Sequence, residues 1–319
     1  MVTIHCNSSI ILITYRFLQK FFLQALLGMK RGCPNSDCSF YQNSSFVMKD
    51  GYYFRKNDSR KIARFVCRKC NKKFSTATFS LAFNHKKRRV NFPLFKLISS
   101  GMSMRRCARV LKIHRTTVKR KLIFLAEKSR QQQQELLNRL ALNKVMQVQF
   151  DDLITSHHTK LKPLSVSAAV DAKNRFILGV EVSQIPAFGH LSELSKKKYG
   201  KRRNEHLEGL TRLFEKLKHV VHEQAHFKSD EHKNYPKIVE QYFPYATHER
   251  HKGGRACIAG QGELKRLHYD PLFAINHTYA MFRANINRLF RKTWCTTKDP
   301  AMLKNHLDIF VAYFNQYLV

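Results

Sequence analysis

Four cysteines in two close pairs constrain the first part of this chain more than any other feature. Cys33-Pro-Asn-Ser-Asp-Cys38 is followed, after 28 intervening residues, by Cys67-Arg-Lys-Cys70. Each pair can sit on a tight turn, so two turns supply four sulfurs to one tetrahedral ion. The segment between the pairs contains alternating runs such as Gly51-Tyr52-Tyr53-Phe54-Arg55. Such runs predict small β-hairpins, and residues 29–83 read as one small β unit. A unit of roughly 50 residues buries too little apolar surface to stand alone, so it needs a staple. Zn²⁺ suits thiolates, tolerates tetrahedral geometry and needs no redox partner. The alternative, four buried cysteines that pair by accident, is disfavoured by the double spacing, although the first pair is wider than the usual two intervening residues. Cys6, Cys107, Cys257 and Cys295 have no such partner and read as ordinary core residues. The pattern is that of a reducing compartment rather than a disulfide scaffold.

The second constraint is charge. Lys and Arg number 58 against 22 Asp and Glu, a formal net charge of +36, and the excess is spread along the whole chain. A charge of that size attracts a polyanion, and DNA or RNA is the commonest one. A ribosome-associated or membrane-surface protein is the blander alternative. With 43% hydrophobic residues, the chain has material for real cores. Residues 1–28 are apolar, but Arg16 and Lys20 interrupt them, so they predict no membrane span. They lack a basic start and a small-residue cleavage site, which argues against a signal peptide. They read as an amphipathic extension or an upstream mis-start.

Residues 92–130 predict helices broken near Gly101 and His114. Met102 to Ile113 reads as one helix, and His114-Arg115-Thr116-Thr117 opens a second over Val118 to Leu125. A short helix, a tight junction and a basic second helix match a helix-turn-helix. Arg115, Thr116, Thr117, Lys119 and Arg120 would reach bases or phosphates in a major groove. Ala108, Val110, Leu111, Ile113, Val118 and Leu122 would form the core. A plain helical linker is the alternative, and the basic exposed positions count against it. Gln131 to Gln134 falls within a connecting helix.

From Val145 the pattern changes. Val145 to Phe150, Leu164 to Val170 and Arg175 to Val182 predict three strands, with Asp171 to Asn174 as a turn between the last two. Residues 188–204 read as a basic loop, and Leu207, Leu210, Leu213, Phe214 and Leu217 as a helical stripe. A strand ending near Asp230, a helix over Tyr235 to Tyr242 and a strand over Tyr245 to His248 follow. Residues 249–274 read as a loop. Helices are expected over Asn276 to Lys292 and Ala301 to Tyr317. Residues 145–319 therefore predict an α/β domain with a mixed sheet. Acidic residues are scarce, yet Asp151-Asp152 follows the first strand and Asp230-Glu231 follows Phe227-Lys-Ser. Carboxylates held at strand ends can share divalent metals that activate the attacking oxygen and stabilise the leaving oxygen of a phosphodiester, with Mg²⁺ or Mn²⁺ the matching hard ions. Solvated loop acids balancing nearby lysines are the alternative.

With these features in place, residues 29–319 resemble a bacterial insertion-sequence transposase of the DDE class. The order zinc ribbon, helix-turn-helix, RNase H-like catalytic domain is that family's. The resemblance implies a multidomain fold: a small β zinc ribbon, an α-helical DNA-binding unit and an α/β RNase H-like domain. It matches the family's first carboxylate to Asp151 and its second to Asp230. The family's third acid belongs near the start of the helix beginning at Asn276. No acid occurs between Asn276 and Lys298, so Asn276 itself, Glu263 or Asp270 are the candidates. The resemblance implies metal-dependent DNA cleavage and strand transfer, with structural Zn²⁺ and catalytic Mg²⁺ or Mn²⁺. Lys196 to Arg203, with His251, Lys252 and Arg255, would hold DNA phosphates. Two ends cut together imply a homo-oligomer, and the implied location is the bacterial cytoplasm, at the nucleoid. An inactive DNA-binding regulator and a metal-dependent nuclease are the rival readings.

Overall fold

The computed structural model describes residues 32–56, 58–252 and 270–319, which fall into two units, one ending at Arg89 and one running from Val90 to Val319. The expectations for residues 1–28, Cys6, Arg255, Cys257 and Glu263 lie outside the described residues.

The first unit holds strands β1 (Val47–Arg55), β2 (Arg60–Cys67) and β3 (Lys73–Ser75), an antiparallel sheet in the order β1-β2-β3. The register slips between Lys49 and Tyr52, where Gly51 adopts φ +73°, a bulge that a side chain would strain. Gly32 is required for another reason: a Cβ there would lie 1.9 Å from the Gln42 backbone. The apolar core is small. Ile62 and Phe74 are buried, and Phe65 stacks on Phe74 with centroids 5.7 Å apart.

The second unit opens with α1 (Asn91–Ser99), α2 (Met104–Val110) and α3 (Arg115–Leu140). The Ser103 side chain caps α2 by accepting from Arg106 N, and His114 caps α3 by accepting from Thr116 N. Cys107, Val118, Leu122, Leu125 and Ala126 are buried together with Leu94, Phe95 and Ile98 of α1. Val110, expected in this core, is 59% exposed instead, because α2 ends there and its last turn faces out. The second helix is also far longer than expected. It continues through the glutamine run, since Ser129 and Leu137 remain buried on its inner face. α8 (Pro300–Tyr317) lies along α3. Arg130 donates to Asp308 at 2.8 Å, and the Asn315 amide donates to Gln133 at 2.9 Å.

A five-stranded sheet follows, in the order β6-β5-β4-β7-β8: β4 (Val145–His157), β5 (Thr159–Asp171), β6 (Ile177–Gln184), β7 (Val221–Asp230) and β8 (Thr247–His251). β4, β5 and β6 are antiparallel neighbours, while β4, β7 and β8 run parallel. The sheet is mixed, as expected. α5 (His206–Leu217) and α6 (Tyr235–Tyr242) cover one face, burying Val148, Phe150, Leu213, Phe214 and Phe227. α7 (Phe273–Asn285) and α8 cover the other, burying Leu153, Val166, Ile177, Tyr279 and Phe310.

Further boundaries differ from the sequence reading. β4 does not stop at Phe150 but runs through Asp151 and Asp152 to His157, paired with β5 throughout. The expected basic loop contains α4 (Ser192–Tyr199), whose Ser195 hydroxyl donates to the Leu161 carbonyl at 2.7 Å. α7 ends at Asn285 rather than Lys292, because Ile286 turns extended.

Candidate functional site

Asp151 and Asp230 are brought together by strand register. β4 and β7 pair in parallel with Val148 opposite Phe227 and Gln149 opposite Lys228. Two residues further, the same register sets Asp230 beside Asp151. β8 then sets His251 opposite Asp230. Asp230 and His251 end β7 and β8, the ends at which open α/β sheets place their ligands, and Asp151 lies beside them midway along β4. Burial, helped by the charges of Asp230 and Asp152, pushes the Asp151 carboxyl up to about 7. Two neighbouring carboxylates repel unless a proton or a cation joins them, so the pair could hold a divalent metal. The His232 backbone N–H donates to Asp230 at 2.9 Å and orients it.

Asp152 plays another part. Its first oxygen accepts from Ser165 at 2.6 Å and from Ser167, and its second accepts from Tyr235 at 2.7 Å and from His206. Asn234 donates its amide to His206 Nδ1 at 3.1 Å, which leaves Nε2–H facing the carboxylate. Burial alone would raise Asp152, but His206 and the two serines outweigh it and hold the carboxyl below its usual range. Every lone pair is used, so Asp152 is a structural anion beside Asp151. The Tyr235 hydroxyl also lies 3.5 Å from Asp151, joining the two.

On the other face, Tyr279 of α7 donates to the Asp151 backbone carbonyl. Arg283, one turn on, is half-buried and within electrostatic reach of Asp151. Asn276 is exposed, and its amide donates to Asp270 at 2.9 Å. α7 thus presents Tyr279 and Arg283 to Asp151, and no acid. Ser165, Ser167, His206, Tyr235, Tyr279 and Arg283 were not singled out from the sequence. Only the scarcity of acids around Asp151-Asp152 hinted that this pair had unusual neighbours.

The four expected cysteines converge. Cys33 Sγ lies 3.5 Å from Cys70 Sγ, and Cys38 Sγ 4.0 Å from Cys67 Sγ. All four sulfurs lie within 4.8 Å of one another, close enough to hold a metal ion. A tetrahedron with metal–sulfur bonds of about 2.3 Å has edges of ~3.8 Å. The Phe40 backbone N–H donates to Cys38 Sγ at 3.4 Å. The Lys72 backbone N–H does the same for Cys70 and brings that thiol down to about 6, while burial pushes Cys33 up to about 12. Among the described residues this is the one such cluster of His, Cys, Asp or Glu ligands. Cys107 and Cys295 are buried core residues, as expected.

The remaining expected contacts are surface positions. Arg115, Thr116, Lys119 and Arg120 are exposed on the first turns of α3, and Thr117 is half-buried. Arg105, Arg106 and Arg109 are exposed on α2 beside them. Lys196, Lys201, Arg202 and Arg203 line a cavity of about 450 Å³ next to α4. Among the described residues, no helix is long and apolar enough to cross a membrane. No protein-family model matches this sequence, and no curated protein matches it.

Proposed function

We propose that this chain is a DNA transposase of the DDE type, which binds the ends of a mobile element and catalyses metal-dependent cleavage and strand transfer. The observation that carries the reading is the register that sets Asp230, the last residue of β7, beside Asp151 of the parallel strand β4. The strand order β6-β5-β4-β7-β8, with only β5 antiparallel to the rest, is what an RNase H-like domain requires. The helical unit with its basic α3 start supplies duplex recognition, and the four-cysteine unit is a zinc ribbon. Asp151 and Asp230 would hold Mg²⁺ or Mn²⁺, which supplies the charge that a pentacovalent phosphate needs. Asp152 keeps β4 rigid beneath them, and Arg283 offers a cation for the phosphate. Cutting two ends together calls for a homo-oligomer on the bacterial nucleoid.

The test uses a duplex carrying the terminal repeats that flank the gene, with Mg²⁺ or Mn²⁺. Asp151→Asn and Asp230→Asn should each abolish cleavage and leave end-binding intact, because an amide keeps the shape and removes the charge. Wild-type cutting by Asp151→Asn would overturn the reading. A second reading, a DNA-binding regulator without chemistry, is favoured by the absence of an acid on α7. It predicts end-binding with no cleaved product from the wild-type chain. A simple nuclease predicts cleavage without joined strands. Glu263→Gln, Asp270→Asn and Asn276→Ala rank the third ligand in the same assay.

A further inference from the structure

On the side of the three-stranded sheet that carries the Phe65–Phe74 pair, the β1 edge leaves its own rings uncovered. Alternation along β1 places Tyr52 and Phe54 on one side, and pairing sets Tyr52 opposite Ala63 and Phe54 opposite Lys61. Tyr52 is 46% exposed and Phe54 62%. Lys49 and Lys61 hold their ammonium groups over the Tyr52 ring, 4.4 and 4.8 Å from its centroid. Phe65 lies on the same side, and Phe79, also exposed, meets Phe74 edge-on. From Val47 to Ser75 the chain carries ten lysines and arginines against Asp50 and Asp58.

Exposed aromatic rings flanked by cations on a flat sheet suit a partner that offers negative charge and free π-faces together. Duplex DNA offers the charge but keeps its bases stacked inside, out of reach of such rings. An acidic protein offers the charge without the row of flat rings. A single strand offers both, and aromatic side chains on sheets stack unpaired bases in this manner. Tyr52 and Phe54 lie two residues apart, a step of ~6.7 Å along a strand. That step is comparable to the spacing of successive nucleotides in an extended chain.

We infer that this face binds single-stranded DNA, with Tyr52 and Phe54 stacking on two successive unpaired bases and Lys49 and Lys61 holding the flanking phosphates. The inference rests on the reading of the chain as a DNA-acting protein and adds a site for the unpaired strand.

The test uses the full-length, metal-loaded chain and a short fluorescent oligo-thymidine strand, followed by anisotropy. Tyr52→Ala and Phe54→Ala should each weaken single-strand binding about tenfold. Tyr52→Phe should retain it, and affinity for a duplex should not change in any of the three. The double change Lys49→Gln and Lys61→Gln should make single-strand binding less salt-dependent, by ~0.7 in the logarithmic slope for each lysine. Photocrosslinking of bromodeoxyuridine in the same strand to the wild-type chain should map to Tyr52 or Phe54, with no variant needed. Unchanged single-strand affinity in both alanine variants, or crosslinks only elsewhere, would overturn the inference. So would a strong preference for oligo-uridine over oligo-thymidine, or a self-association in sedimentation that Phe54→Ala abolishes. Cleavage by the Asp151 site is measured separately. A chain that binds single strands through Tyr52 but never cuts would reject the transposase chemistry alone.

Discussion

Asp151 and Asp152 are consecutive on β4, yet their surroundings drive their carboxyls in opposite directions. Asp152 is held below its usual range by His206, Ser165, Ser167 and Tyr235. Asp151 is pushed up to about 7 by burial and by its acidic neighbours. A strand turns successive side chains to opposite faces, so one residue step separates a carboxylate held by four side-chain donors from one whose side-chain donor, Tyr235, lies 3.5 Å away.

Replacing Asp152 should therefore damage the fold. Asp152→Asn puts an amide donor against four donors, and at least one of Ser165, Ser167, Tyr235 or His206 loses its acceptor. A buried hydrogen bond to a charged group contributes about 1.5–3 kcal/mol, and more than one of them is disturbed here. Urea unfolding of the variant should show a loss of that size, and Tyr235→Phe a smaller one of about 1–2 kcal/mol. Wild-type stability in Asp152→Asn would mean that the network is ornamental.

The cysteine cluster should decide whether the first unit folds. Structural thiolate sites supply about 10–16 kcal/mol at neutral pH, far more than a core built on Ile62 and Phe74. Metal analysis of the purified chain should give one zinc. Cys67→Ser, or strong chelation, should abolish the β1–β3 sheet as seen by amide exchange, while the unit from Val90 onward stays folded. Persistence of the sheet without metal would contradict this.

Acid should destabilise the second unit. His306 is fully buried, and burial, with Arg288 nearby, brings its imidazole down to about 3. Burial, with Arg250 and His226, brings His248 down to about 4. A native pKa below the unfolded 6.5 means that these histidines favour the fold only while neutral. Their contribution is complete above ~6.5 and is lost as pH falls towards 4 and 3. Asp151 opposes the trend, so the decisive measurement is a difference. The urea midpoint should fall less between pH 7 and 4 in His306→Leu than in the wild type. Each tenfold loss of proton affinity on folding contributes at most ~1.4 kcal/mol to that difference.

The start of α3 should read DNA. Arg115→Ala and Arg120→Ala remove exposed side chains that make no contact with the helical core. Each should cost ~1–3 kcal/mol in binding a cognate end, relax its sequence preference, and leave the melting temperature unchanged. Equal gel-shift affinities for variant and wild type would reduce the helix to a strut.

The parts written locally in the sequence were the parts that could be read there. The cysteine spacing, the helix start at His114 and the apolar runs of β4 to β6 are short-range signals, and the structure has them where they were expected. The Asp152 network was invisible because its partners are scattered from Ser165 to Tyr235 and meet only when β5, α5 and α6 close on the sheet. α4 was missed because Ser-Glu-Leu-Ser-Lys-Lys-Lys-Tyr has no apolar stripe, and only Ser195 is buried. β4 was cut short because Asp151-Asp152 resembles a loop to any rule that reads residue types alone. Val110 was misplaced because an apolar residue at the last turn of a helix fits the periodicity whether or not anything covers it.

α3 joins the basic helical unit to the sheet without a hinge. Its first turns carry Arg115 and Arg120, and its buried Leu137 belongs to the core under β4. A continuous helix of 26 residues is a rod ~39 Å long. Such a rod transmits rotation as a driveshaft does. One residue inserted between Ser129 and Leu137 would swing the face of Arg115 and Arg120 by ~100° about the rod axis while lengthening it by only ~1.5 Å. Phase, more than distance, is therefore what this helix sets between Arg115 and Asp151.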